Sequence, residues 1–258
     1  MNKRPSTVES LAQDLLAAGI VPGDTLLVHS SMKSLGPVEG GAESVFQALQ
    51  NTVTENGLLI FPAFSYNIAT NENPDWDVTE TPACTGILPE LFRQKKDVFR
   101  SLHPSHSLAV WGKEAESFTA GHERFETAFN RLSPWGKLLD RGGKILLIGV
   151  DLTVATFLHA VEEWSGVPVL SSKPVIRYII DREGRRMTRT IYWHTGAHSE
   201  KFFRAEQILL DHGALTKCRI AEASCMLMDC RKTWECMEFL LRQKPDFFAW
   251  DTTCPANE

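Results

Sequence analysis

In the segment TVATFLHAVEEW, His159 and Glu162 stand three positions apart among the apolar Phe157, Leu158 and Val161. If the segment is helical, the two polar side chains share a face. A carboxylate that binds one imidazole nitrogen fixes the tautomer and raises the basicity of the other nitrogen, which can then take a proton from an attacking amine. The same spacing also occurs in surface His–Glu pairs worth roughly a few tenths of a kcal/mol, so spacing alone does not decide between a base and a solvated pair.

Three further stretches carry residues suited to chemistry. HPSHS, residues 103–107, sets two histidines and two serines just before an expected strand, where loops of α/β folds hold ligands. A polar loop whose hydroxyls cap the local backbone would read the same way. VHSSMKSLGPVEGG runs from a strand end through small hydroxyl residues and Lys33 into a glycine pair that opens a helix, a setting able to hold a phosphate or polarise a carbonyl. Its spacing is neither that of a Walker P-loop nor that of a dinucleotide fingerprint. Ser30 and Ser31 lack the GxSxG elbow of a hydrolase nucleophile. His194 and His198 could ligate a metal, but Gly196 argues against the helix that would converge them, so no metal is expected.

These residues need a scaffold, and the pattern of elements supplies one. Val8, Leu11, Leu15 and Leu16 make a helical stripe that Gly19 ends. VPGDTLLVHSS then reads as a turn and a buried strand, EGGAESVFQALQNTVTENG as a helix, LLIFPAF as a buried parallel strand, and residues 65–82 as a long loop. Helical pattern follows over 85–95, a strand within SLHPSHSLAVWG, helix over 113–122, and GGKILLIGV as the clearest strand. VIRYIIDREGRRMTRTIYWHT is two alternating runs about a polar turn, an antiparallel hairpin toward the C-terminal side. A helix from Glu200, a strand around Cys225 to Met228 and a helix from Thr233 to Arg242 complete the chain. The expected fold is α/β, one compact unit over residues 1–258 with a mixed central sheet flanked by helices.

Bulk properties narrow the function. The 43% hydrophobic and 23% charged content is ordinary for a globular protein. No signal peptide or membrane span is visible, so a cytoplasmic location is expected. The six cysteines form no CxxC pair and read as reduced thiols. A net charge of -5 gives no footprint for nucleic acid and suits a cationic substrate. The oligomeric state is left open.

Taken together, LLVHSSMKSLG with its EGG, RSLHPSHS, SPWGKLL, KILLIGV and TFLHAVEE resemble, in order and spacing, the antibiotic N-acetyltransferase family named for the aminoglycoside 3-N-acetyltransferases. The resemblance runs from about Val8 to Cys230. It implies an α/β enzyme that uses acetyl-CoA as cosubstrate in a ternary complex, with direct attack by an amine. By that resemblance His159 is the base and Glu162 its orienting partner. Ser30, Ser31, Met32 and Lys33 match the loop at the cofactor cleft, and Ser105, Ser107, Ser133 and Thr156 fall in the other matching motifs. Tyr66, Asp77, Glu163 and His194 are the candidates to touch the acceptor. Few acids stand in the 65–82 loop beyond Glu72, Asp75, Asp77 and Glu80, and Tyr192-Trp193-His194 stands where resistance enzymes tend to be acidic. An aminoglycoside or a smaller, less charged amine or amino sugar is therefore the expected acceptor. The alternatives are a CoA-binding module without turnover and a metal-dependent amidohydrolase using His103, His106, His159 and His194.

Overall fold

The computed structural model describes residues 4–195 and 198–249. Helix α1 (Val8–Ala17) opens with a reciprocal cap between Thr7 and Ser10 and buries Leu11 and Leu15, while Leu16, at the border of the apolar stripe, stays half exposed. Gly19 turns the chain at φ +96° into β1 (Thr25–Ser30). Next come α2 (Ala42–Val53), β2 (Leu58–Pro62), β3 (Asp75–Asp77), α3 (Ile87–Arg93), β4 (Phe99–Arg100) and β5 (Leu108–Trp111). The middle of the chain forms α4 (Ala115–Thr119), α5 (Pro134–Asp140), β6 (Lys144–Ile148) and α6 (Phe157–Trp164). Strands β7 (Val175–Ile180) and β8 (Arg186–Ile191), α7 (Glu206–Asp211), β9 (Leu215–Ile220), β10 (Ala223–Asp229) and α8 (Cys230–Gln243) follow.

Seven strands form one mixed sheet in the order β4-β5-β2-β1-β6-β10-β9. Its centre, β2-β1-β6, is parallel and covered on both faces, which is why these strands are continuous apolar runs. Alternate residues divide between two cores. Leu27, Ile60, Ile145 and Leu147 face the side packed with α5, α6 and α8, whereas Leu26, Val28, Phe61 and Leu146 face that of α1, α2 and α3. Strand β1 has parallel neighbours on both sides, so the loops that leave its carboxyl end and those of β2 and β6 diverge around a crevice, the usual place for a ligand in an α/β sheet.

The mixed sheet and flanking helices agree with the pattern of the sequence, with instructive differences. The β7–β8 hairpin forms as expected but stands apart from the main sheet, in a three-stranded sheet with β3. Strand β3 comes from the 65–82 stretch that reads as loop, because only three residues pair and just Trp76 among them is buried. Strand β9 also escapes the apolar pattern: it is an edge strand of LTKCRI with polar residues in its middle, held by pairing to β10. The helix expected from Glu200 begins as a 3-10 turn from His198 to Ala205 before α7. The five cysteines within the described residues are free thiols, and Cys254 lies outside those residues. Among the described residues no helix is long and apolar enough to cross a membrane.

Candidate active site

Helix α6 is the element that carries His159. Its Phe157, Leu158, Ala160 and Val161 are buried against the core, which sets the helix rotation and leaves His159 at the edge of a cavity. One turn on, Glu162 is 1% exposed, and its Oε2 lies 3.1 Å from His159 Nδ1. A buried carboxylate there holds the proton on Nδ1, so the neutral ring presents Nε2 as its basic nitrogen. The neighbouring Glu163 accepts from Thr127 Oγ1 at 2.6 Å and pairs with His194 Nε2 at 3.0 Å. His194 thereby reaches the site, its ring edge-on to that of His159 with centroids 5.2 Å apart.

Two cavities meet at this point. The first, of about 600 Å³, opens at the carboxyl ends of β1, β2 and β6 and is lined by Ser30, Pro62, Val150 and Thr156, among others. The second, of about 570 Å³, lies under the three-stranded sheet and is walled by Phe129, Val175, Arg177, Trp193 and His194. Tyr66, His106 and His159 line both. The His159 imidazole therefore stands on the wall shared by two cavities, each able to hold a molecule.

The HPSHS loop supports that wall. Ser105 Oγ lies 2.9 Å from His106 Nδ1 and 3.2 Å from His103 Nδ1, and the His103 ring stacks on His122 at 4.7 Å. Burial, and then the neighbouring histidines, hold His103 and His106 well below the usual imidazole range, so both rings are neutral. Ser107 donates to Ala63 O at 2.6 Å and accepts from Arg100 Nε at 3.0 Å, tying the loop to the strand end beside it. In the first cavity, burial takes His29 down to about 3 and raises the Cys84 thiol, so neither is charged near neutrality. Ser30 Oγ and His29 Nε2 have no hydrogen-bond partner among the described residues, so a ligand could satisfy both.

Of the residues singled out from sequence, Ser30, Tyr66, Thr156, His159 and His194 line one or both cavities, and Glu162 and Glu163 stand behind the two histidines. Ser105 and Ser107 are buried in the supporting loop, and Ser133 caps α5 by accepting from Trp135 N. Ser31, Met32 and exposed Lys33 lie beside Ser30 but outside the cavity lining. Asp77 is also outside it, its Oδ1 accepting from the backbone of Thr79 and Glu80. His29, His106, Phe129, Arg177 and Trp193 line the cavities and were not picked as cofactor or acceptor contacts from sequence. His106 belongs to the HPSHS loop that the sequence marks as a place for ligands, and the structure sets it on the wall of both cavities. His159, Glu162 and His194 bring ligand atoms within 4.8 Å of one another, a convergence unseen in the spacing of His194 and His198. The His198 side chain lies outside the described set.

A sequence model described as aminoglycoside 3-N-acetyltransferase matches residues 27–242. The chain belongs to the aminoglycoside 3-N-acetyltransferase family. Relatives in it include the SPbeta prophage-derived aminoglycoside N(3')-acetyltransferase-like protein YokD of Bacillus subtilis, 36% identical over 61% of this chain and 65% of that protein. Aminoglycoside N(3)-acetyltransferase III of Serratia marcescens is 33% identical over 63% of this chain and 66% of its own. The chain thus spans just under two thirds of the length of these curated relatives. The solved structure of AAC-IIIb in a binary complex with CoASH superposes with a TM-score of 0.83 at 26% identity, covering 98% of this chain and 100% of that one. The family resemblance read from the motifs and the mixed α/β architecture therefore both hold.

Proposed function

We propose that this chain, working as a single unit, transfers the acetyl group of acetyl-CoA to an amine by direct attack, with His159 as general base. The observation that carries the reading is the His159–Glu162 pair, 3.1 Å apart, on the wall common to two cavities. The cavity with unpartnered Ser30 and His29 takes the thioester end of acetyl-CoA, and the other takes the acceptor. The relative bound to CoASH and the relatives named as N(3)-acetyltransferases support acetyl transfer from CoA to an amine.

In the reaction the amine nitrogen attacks the thioester carbonyl while His159 Nε2 accepts its proton. The tetrahedral intermediate collapses with cleavage of the C–S bond, and the imidazolium returns the proton to the departing thiolate. The amide and free CoA account for every atom. Glu162 holds the ring and offsets the imidazolium charge without itself being protonated. Acetyl-CoA as donor suits the cytoplasmic location expected from the sequence, and the acceptor is an aminoglycoside or a smaller amine.

Release of free thiol from acetyl-CoA, followed with wild type and His159→Ala across aminoglycosides, amino sugars and simple amines, tests this. General-base loss should lower kcat by about 10²- to 10⁴-fold with acetyl-CoA affinity unchanged. Turnover by His159→Ala at the wild-type rate would remove His159 from the mechanism. Tight CoA binding without amine-dependent release would leave a binding module.

A further inference from the structure

Arg177 is an unusual wall for a cavity meant to hold a cationic amine. Its residue is only 3% exposed, yet it lines the acceptor cavity from β7. Nε donates to Ala69 O at 3.0 Å, and Nη1 donates to Asn71 Oδ1 at 3.1 Å and Ile176 O at 2.8 Å. These neutral acceptors use three of the five guanidinium N–H groups. Among the described residues nothing accepts from Nη2, and no carboxylate pairs with the side chain. Burial holds this guanidinium below its ordinary range, with no acidic neighbour to offset the effect.

The surroundings add to the positive charge. In the β7–β8 ladder Arg177 stands directly opposite Arg189, a like-charge pair that a sheet tolerates only at a cost. Arg189 donates to Glu123 O, Thr188 O and Met187 Sδ, and it too has no carboxylate partner among the described residues. Among the described residues no aspartate or glutamate lines the cavity. Glu162 is bound to His159, Glu163 to His194 and Thr127, Asp75 to Arg186, and Asp77 to its own turn, and none of these bonds involves Arg177. Tyr66, Phe129 and Trp193 supply the rest of the wall, with the Arg177 guanidinium 5.6 Å from the Trp193 ring centroid. A buried cation left without its counter-charge is destabilising unless something supplies that charge.

We propose that the acceptor of this enzyme carries a carboxylate, which Arg177 binds through Nη2 while the amine faces His159. This rests on the assignment of the second cavity to the acceptor. Arg177 is the one arginine or lysine among the described lining residues, and its single uncommitted donor nitrogen with one positive charge matches a carboxylate. Among the described residues of the lining a polycation would find no carboxylate to meet its ammonium groups.

The test compares 4-(aminomethyl)benzoate with 4-(aminomethyl)benzamide, two amines of the same shape that differ in the anion. Calorimetric titration of each into wild type, Arg177→Gln and Arg177→Lys, all with CoA bound, reads affinity without requiring turnover. The carboxylate should bind wild type about 10- to 100-fold more tightly than the amide, the range for a hydrogen bond to a charged group. Arg177→Gln should abolish that preference and Arg177→Lys should keep part of it. Equal or absent binding of the two ligands to wild type overturns the proposal, with no variant needed. So does a preference that survives in Arg177→Gln. Thiol release separates the two readings: carboxylate binding through Arg177 without amine-dependent release sinks the transfer reaction alone, and release without carboxylate preference sinks this inference alone.

Discussion

His122 offers a sharp test of how the buried histidines were read. Its Nε2 donates to Ala128 O at 2.9 Å, and its Nδ1 lies 2.8 Å from Ser101 Oγ. Ser101 Oγ already accepts from Leu108 N at 2.9 Å, so its proton points to Nδ1 and the ring is neutral. A proton added at Nδ1 would face that hydroxyl hydrogen, and burial opposes the charge as well. Burial, with the Lys137 charge adding to it and the Ala128 hydrogen bond opposing it, puts the folded pKa at about 4, against an ordinary 6.5. Because the folded value is depressed, the unfolded chain binds the extra proton, and stability that is complete above pH 6.5 drains away as pH falls toward 4. At about pH 5 the unfolded chain gains about 2 kcal/mol from this one group, at about 1.36 kcal/mol per pH unit. His29, His103 and His106 act in the same direction. Urea unfolding of wild type and His122→Gln at about pH 7.5 and about pH 5 measures the term as a difference of differences. The variant is less stable at both pH values, but its loss between them should be about 2 kcal/mol smaller. An identical loss in both proteins would refute a buried, neutral His122.

Other outcomes follow from the same geometry. Glu162→Gln keeps the shape of the pair but no longer offsets the imidazolium charge, so kcat for thiol release should fall by about 10- to 100-fold with the KM for acetyl-CoA little changed; an unaltered kcat would leave Glu162 a packing residue. In α5, a Cβ on Gly136 would sit 1.7 Å from Arg131 O, so Gly136→Ala should destabilise the fold by about 3 kcal/mol or more in urea titration, and a neutral effect would contradict that close approach. Dialysis against a chelator should change thiol release by less than about twofold; a loss restored by zinc would make His159, Glu162 and His194 metal ligands instead of a base and its supports.

Much of the scaffold was legible in the chain because its causes are local. KILLIGV reads as the clearest strand and becomes β6, and VIRYIID with its polar turn becomes β7. The His159–Glu162 pair was legible for the same reason: an i, i+3 spacing on an apolar helix fixes both the contact and the face it occupies. Strand β3 was not, since three residues in a polar stretch have no periodicity, and their pairing with β7 depends on a partner about a hundred positions away.

The sequence by itself determined which residues could be the base, its orienting carboxylate and the glycine-bounded turns, since each rests on neighbours within a few positions. Only the tertiary structure decided what surrounds His159. His194 meets Glu163 across 31 positions, and Arg177 reaches Ala69 across 108. Residues of β7 and α6, two stretches of ordinary pattern, meet as walls of one cavity. Periodicity determines which face a side chain takes; sheet order and packing determine what that face meets.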